Sequence, residues 1–126
     1  GCPAPKVASS GGGALLMKNS ELAASIVKEV VKASTVPVTV KMRTGWDENS
    51  LNAPELAKIC EANGASMITV HGRTKVQMYA PPVYPEHIKA VAQAVNIDVV
   101  ANGDVTDGVT AQKLMQEKLV VETIFM

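Results

Sequence analysis

Three short apolar runs decide the fold: Val36–Met42 (VPVTVKM), Ser66–Gly72 (SMITVHG) and Asn96–Gly103 (NIDVVANG). A fourth, Leu119–Met126 (LVVETIFM), follows, and the four starts lie 30, 30 and 23 residues apart. Each run is rich in β-branched residues and predicts a strand. Each follows a segment of helical character. Asn19 is placed to cap a helix with Glu21 in its first turn and Leu22, Ile26 and Val30 at i, i+4 and i+8. A second helix is predicted from about Pro54 through Leu56, Ile59 and Cys60 to a stop at Asn63-Gly64. A third opens at Pro85-Glu86, with Ile88, Val91, Ala92 and Val95 on one face, and a fourth near Thr106 or Asp107 carries Leu114 and Met115. Alternation of strand and helix at this period is the mark of βαβ units, so the fold class is α/β with a parallel sheet. The runs are apolar over consecutive positions, which predicts strands covered on both faces.

Each of the first three strands breaks its apolar run with polar groups at its carboxyl end: Lys41-Met42-Arg43, His71-Gly72-Arg73 and Asn102-Gly103-Asp104. In a parallel sheet these ends converge on one rim, where barrels and open α/β sheets bind ligands. Taken singly, each has an ordinary explanation. A lysine or arginine at a strand end is commonly a solvated cap, Asn-Gly is a turn dipeptide, and a lone histidine is more often structural than catalytic. Three coincident breaks in one register favour a site over three accidents. Ahead of the first helix, Gly1-Cys2-Pro3 is followed by Lys6 and then by Ser9–Ala14 (SSGGGA), a glycine-rich stretch expected to form a loop close to a ligand, with amides able to hold an anion. It matches neither the phosphate-loop nor the dinucleotide fingerprint.

Composition narrows the function classes. Among 126 residues, 12 basic and 12 acidic side chains give zero formal charge, and 47% of residues are hydrophobic. A disordered tail or a histone-like basic protein is excluded. No apolar stretch approaches the roughly 18 residues that span a bilayer, so no membrane is expected. Aromatic residues are 3% of the chain, which argues against base-stacking platforms. With Cys2 and Cys60 as the only cysteines, neither a disulfide framework nor a structural zinc site is expected; no metal is anticipated and the default compartment is the reducing cytoplasm.

GCPAPKV…GGGALLMKNSELA, VPVTVKMRTGWDE, ITVHGRT and VVANGDV, in that order and spacing, resemble the flavin-dependent tRNA-dihydrouridine synthases, particularly their bacterial NifR3-like branch. The resemblance runs from Gly1 to about Ala111. It implies an FMN enzyme on a (β/α)8 TIM barrel that reduces the C5=C6 bond of uridine in tRNA, with NADPH as reductant. Carried onto this sequence, it implies that Cys2 is the general acid that protonates C5. It also implies that Lys41, His71, Asn102, Gly103 and Asp104 contact the flavin. Lys6, Arg43 and Arg73, with Lys75, are candidates for gripping uracil or RNA phosphates. The family continues with a YSGPADW-like segment where this chain has Tyr79–Pro85 (YAPPVYP), and with a glycine-rich turn where it has KLVVETIFM.

A complete (β/α)8 barrel takes about 250 residues. Residues 1–126 are therefore expected to be a single partial domain, the central-to-C-terminal part of the barrel with about four parallel strands, and to bind FMN weakly alone. Two other readings stand beside the enzyme. One is a non-catalytic half-barrel that assembles or binds RNA, with a homodimer covering its open sheet edges. The other is a different FMN-barrel oxidoreductase acting on a small molecule.

Overall fold

A computed structural model describes residues 1–116 and 119–121. Its centre is a four-stranded, all-parallel sheet in sequential order. The strands are β1 (Thr39–Arg43), β2 (Met67–His71), β3 (Asp98–Asn102) and the short β4 (Val120–Val121). Between them run α3 (Ala53–Ala62), α4 (Pro85–Ala94) and α5 (Gly108–Met115), while α1 (Pro5–Ser9), a 3-10 turn (Gly13–Lys18) and α2 (Ser20–Ala33) precede β1. This is the α/β class read from the sequence, and successive βαβ units form a piece of a TIM barrel. Of the run Leu119–Met126, Val120 and Val121 pair with β3; residues 122–126 lie outside the described set.

The helix limits follow local chemistry. Asn19 Oδ1 accepts the Leu22 amide at 3.0 Å and starts α2. Asp107 Oδ1 accepts both the amide and the hydroxyl of Thr110 and starts α5. The first strand begins three residues later than its apolar run, because Pro37 has no N–H to give to a ladder.

The register sorts side chains onto two faces. Val40, Ile68 and Val99 share one row, and Met42, Val70 and Ala101 the row two residues on. This face packs under Leu56, Ala57 and Cys60 of α3 and Ile88 and Val91 of α4, forming the core. The opposite face carries Lys41, Thr69 and Val100 in one row and Arg43, His71 and Asn102 in the next. It is less covered than the apolar runs implied, since Met67, Thr69 and His71 alternate with fully buried Ile68 and Val70.

The apolar stripe expected to bury α2 is displaced. Ala23 and Val27 enter the core and Val31 packs against it, whereas Leu22, Ile26 and Val30 remain 45%, 42% and 47% exposed. The two stripes are one residue apart in sequence and so about 100° apart around the helix. Both are apolar, and position above β1 decides between them. An apolar cleft of about 270 Å³ runs between α2 and β1, lined in part by Ile26, Val30, Val38 and Val40.

Truncating the two stripes separates them. Ile68→Ala, in the core, is expected to lower stability by about 2–5 kcal/mol. Leu22→Ala is expected to change it by less than about 0.5 kcal/mol. Urea denaturation of both variants checks the assignment, and equal losses would place Leu22 in the core.

Candidate active site at the carboxyl ends of the strands

Parallel pairing delivers the strand-end polar groups to one place, with one change from the expected alignment. His71 pairs with Arg43 and with Asn102, so these three share a row; Lys41 lies one row earlier, opposite Thr69. The long lysine side chain makes up the difference. Its Nζ donates to Asn102 Oδ1 at 2.9 Å, reaching across β2 to β3. Asn102 is nearly buried. A buried amide held by an ammonium has a fixed orientation, with its oxygen on the lysine and its NH2 left to other acceptors.

Cys2 enters this region from the amino-terminal segment. Gly1, Cys2, Pro3, Lys41, Arg43, His71 and Tyr79 line one pocket of about 360 Å³. Gly13 holds Cys2 in place. The Ala14 amide donates to the Cys2 carbonyl at 2.8 Å, and a Cβ on Gly13 would stand 2.5 Å from that same oxygen. With φ at +59°, position 13 favours glycine on conformation as well. The glycine-rich stretch is thus a packing device. The amides of Ser10, Gly11, Gly12 and Ala14 all donate to backbone carbonyls within residues 2–8, which corrects the expectation that they hold an anion. The stretch is also less loop-like than expected, since α1 ends at Ser9 and the 3-10 turn takes Gly13 and Ala14, leaving only Ser10–Gly12 between them.

The two arginines at the strand ends are buried, at 2% exposure for Arg43 and 4% for Arg73. Arg43 Nη1 donates to the carbonyls of Thr74 and Met78, and its guanidinium lies 5.5 Å from the Tyr79 ring centroid. Arg73 makes a bidentate pair with Asp104, at 3.0 and 2.8 Å, and its Nε donates to the Ala80 carbonyl at 2.9 Å. Both therefore brace the segment of residues 74–80 over the rim. Gln77 adds to this by accepting the Thr74 amide and donating to the Pro82 carbonyl. Lys6 stays exposed on α1. Lys75 sits 4.9 Å from the Trp46 ring centroid, and Lys18 lies over the same ring at 4.3 Å.

Tyr79 was missed by sequence reasoning as a site residue. The braced loop holds it at the pocket edge, 71% exposed, with its ring centroid 6.5 Å from that of His71. Its only signal in the sequence was its place in a segment that follows a strand-end cluster. Cys60, by contrast, is buried on the core-facing side of α3, where desolvation pushes its thiol pKa up and keeps it inert. Among the described residues, no group of three or more His, Cys, Asp or Glu is placed to hold a metal ion, and no helix is long and apolar enough to cross a membrane.

Comparison with known proteins places this arrangement in one family. Residues 1–121 match the family model described as dihydrouridine synthase. The chain belongs to that family. It is 50% identical over 117 residues to a probable tRNA-dihydrouridine synthase of Rickettsia conorii, covering 93% of this chain and 35% of the relative. It is 47% identical over 117 residues to a probable tRNA-dihydrouridine synthase of Rhodobacter capsulatus, covering 93% and 36% respectively. Against tRNA-dihydrouridine synthase B of Pseudomonas aeruginosa the identity is 42% over 117 residues, again 93% of this chain and 35% of the relative. The chain thus spans little more than a third of the curated relatives it matches.

Burial drives the His71 pKa down to about 4, helped by the nearby charges of Arg43, Lys41 and Arg73 and opposed by Asp104. In the unfolded chain the same imidazole titrates near its ordinary value of 6.5. Between those values the unfolded state binds a proton that the folded state does not, so folding weakens as pH falls from about 6.5 to about 4. Below about 4 the contribution levels off, and above 6.5 it vanishes. Thermal midpoints across this range are expected to drop less in His71→Phe than in the parent chain. Parallel curves would mean that His71 titrates alike in both states.

Proposed function

We propose that this chain forms the central part of a flavin-dependent site that reduces uridine to 5,6-dihydrouridine in tRNA. The observation that carries the reading is a single pocket lined by the Cys2 thiol, Lys41 and His71, with the Lys41 ammonium hydrogen-bonded to Asn102. This donor set fits the ring of FMN. Lys41 supplies a cation for the edge that becomes anionic on reduction, Asn102 has an amide in fixed orientation, and Gly103-Asp104 turns the chain away just beyond β3. The chemistry such a cofactor supplies is hydride transfer, from NADPH and on to C6 of the uracil ring.

The other residues complete the addition across C5=C6. In this reading the Cys2 thiol gives its proton to C5 as hydride reaches C6, and the resulting thiolate takes up a proton from solvent. A general acid must start protonated, so the thiol needs no activating base, unlike a nucleophilic cysteine. Uracil reaches the pocket only when extruded from its stack. Tyr79 at the mouth offers that base a flat aromatic face. Exposed Lys6, with Lys18 and Lys75 around Trp46, supplies local positive charge for the tRNA backbone, so zero net charge is no obstacle. Arg43 and Arg73 enter this reading as braces of the loop rather than as grips on phosphate, since their guanidinium donors face backbone carbonyls and Asp104. A substrate of this kind is met in the cytoplasm.

A chimera tests the reading. Residues 1–121 replace the matching segment of Pseudomonas aeruginosa tRNA-dihydrouridine synthase B, and dihydrouridine formation is measured alongside flavin reduction by NADPH. Cys2→Ala in the chimera is expected to leave flavin reduction intact and to lower uridine reduction by about 10²-fold or more. Undiminished uridine reduction would remove Cys2 from the role of acid.

A second reading concerns the chain on its own. β1 is an edge strand, and Ile26 and Val30 of the exposed apolar stripe on α2 line the cleft between α2 and β1. An open parallel edge next to an apolar helix face favours pairing with a second copy. Light scattering is expected to give a dimer that Ile26→Lys converts to monomer; a monomeric parent chain would end this reading.

A further inference from the structure

The contacts of Arg73 fix more than the position of a loop. A guanidinium has five N–H donors and no acceptor. Arg73 Nη1 lies 3.0 Å from His71 Nε2. The imidazole nitrogen must therefore be the acceptor, and a neutral ring whose Nε2 accepts carries its proton on Nδ1. An imidazolium would set an Nε2–H donor against an Nη1–H donor, so it is excluded by the same contact.

Arg73 has little freedom to escape this geometry. Asp104 holds both Nη atoms and the Ala80 carbonyl holds Nε, so the end of β2, the turn after β3 and the loop of residues 74–80 are joined through one buried side chain. The ring is held from the other direction as well. A Cβ on Gly103, where φ is +109°, would stand 2.8 Å from His71 Cδ2 and 2.9 Å from Nε2. The Nε2–Cδ2 edge thus lies against the turn after β3. Nδ1 is on the opposite edge of the ring, away from that turn, and the same side chain lines the pocket shared with Cys2, Lys41, Arg43 and Tyr79.

We propose that Arg73 is a positioning residue that locks His71 as a neutral Nδ1–H donor, so that His71 offers a hydrogen bond to an electron-rich carbonyl or ring nitrogen of a bound ligand and does not exchange protons with it. The identity of that ligand as flavin or uracil rests on the function proposed above; the tautomer does not. The consequence for the site is a division of labour. His71, the only imidazole lining the pocket, is removed from acid–base work, and proton donation is left to Cys2. The charged and titratable groups around the ring agree with this state. Lys41 and Arg43 approach from β1, Arg73 from the end of β2 and Asp104 from the turn after β3, with the Tyr79 phenol on the loop above; burial lowers the His71 pKa first, and cations that outnumber the single carboxylate lower it further.

The test uses the 126-residue chain labelled with nitrogen-15 at histidine and long-range proton–nitrogen correlation spectra of the rings. His87→Gln assigns the two imidazoles. In the parent chain His71 is expected to carry one proton, on Nδ1, and to show no titration from pH 8 down to about 5. An Nε2–H form, an equal mixture, or a doubly protonated ring at pH 6 in a folded chain would overturn the proposal. Arg73→Met is expected to raise the His71 pKa by about one unit or more and to populate Nε2–H, because Asp104 then faces the ring without its partner. An unchanged tautomer in a folded Arg73→Met chain would also overturn it. The parent measurement stands whether or not that variant folds. Flavin titration of the chimera decides the ligand separately: loss of flavin binding with Nδ1–H intact would fail the flavin reading and leave the tautomer standing.

Discussion

Parallel pairing without a slip is the constraint on which the rest depends. Because side chains alternate with a period of two, one register puts Val40, Met42, Ile68, Val70, Val99 and Ala101 under the helices. The same register puts Lys41, Arg43, His71 and Asn102 on the other face. A one-residue shift in any strand would bury its cation or amide among the apolar side chains of α3 and α4 and expose a valine or isoleucine in exchange. Core packing and site assembly are therefore one choice. The hydrophobic face holds the register and the polar face inherits it.

Placing two guanidiniums at the sheet end carries a desolvation cost that the neighbouring structure must offset. It does so with carbonyls and one carboxylate. Arg43 takes those of Thr74 and Met78, and Arg73 takes that of Ala80 with the bidentate Asp104. The loop after β2 is thereby tied to three strands although it has no ladder of its own. Rigid placement of Tyr79 and of the His71 ring follows from these bonds. Removing Arg43 would take the guanidinium donor from the carbonyl of buried Thr74, and removing Arg73 would break the link between the loop and Asp104, so the arginines are as much part of the fold as of the site.

Much of this was legible in the sequence. β-Branched runs at a near-constant spacing gave the parallel sheet, and the polar residues closing each run gave the rim. Other features were not legible, for physical reasons. The row partner of His71 is Arg43 rather than Lys41, because the β1–β2 register is set by pairing and core packing and not by the spacing of the apolar runs. Two apolar stripes on α2 read equally well, and only its seat above β1 chose Ala23 and Val27. Burial of Arg43 and Arg73 depends on backbone carbonyls, which every residue has and no sequence pattern marks. The amides of the glycine-rich stretch were spent locally for the same reason. Family resemblance correctly identified the chain, while the roles of its arginines needed coordinates.

The central claim is that strand-end register makes Lys41 and Asn102 one electrostatic unit, which the proposed function sets against a flavin ring. The midpoint potential of the flavin in the chimera, measured by spectroelectrochemistry with Lys41 and with Lys41→Met, tests it most directly. Loss of the ammonium that balances the reduced ring is predicted to shift the potential to a more negative value. An unchanged potential with flavin still bound would contradict the account.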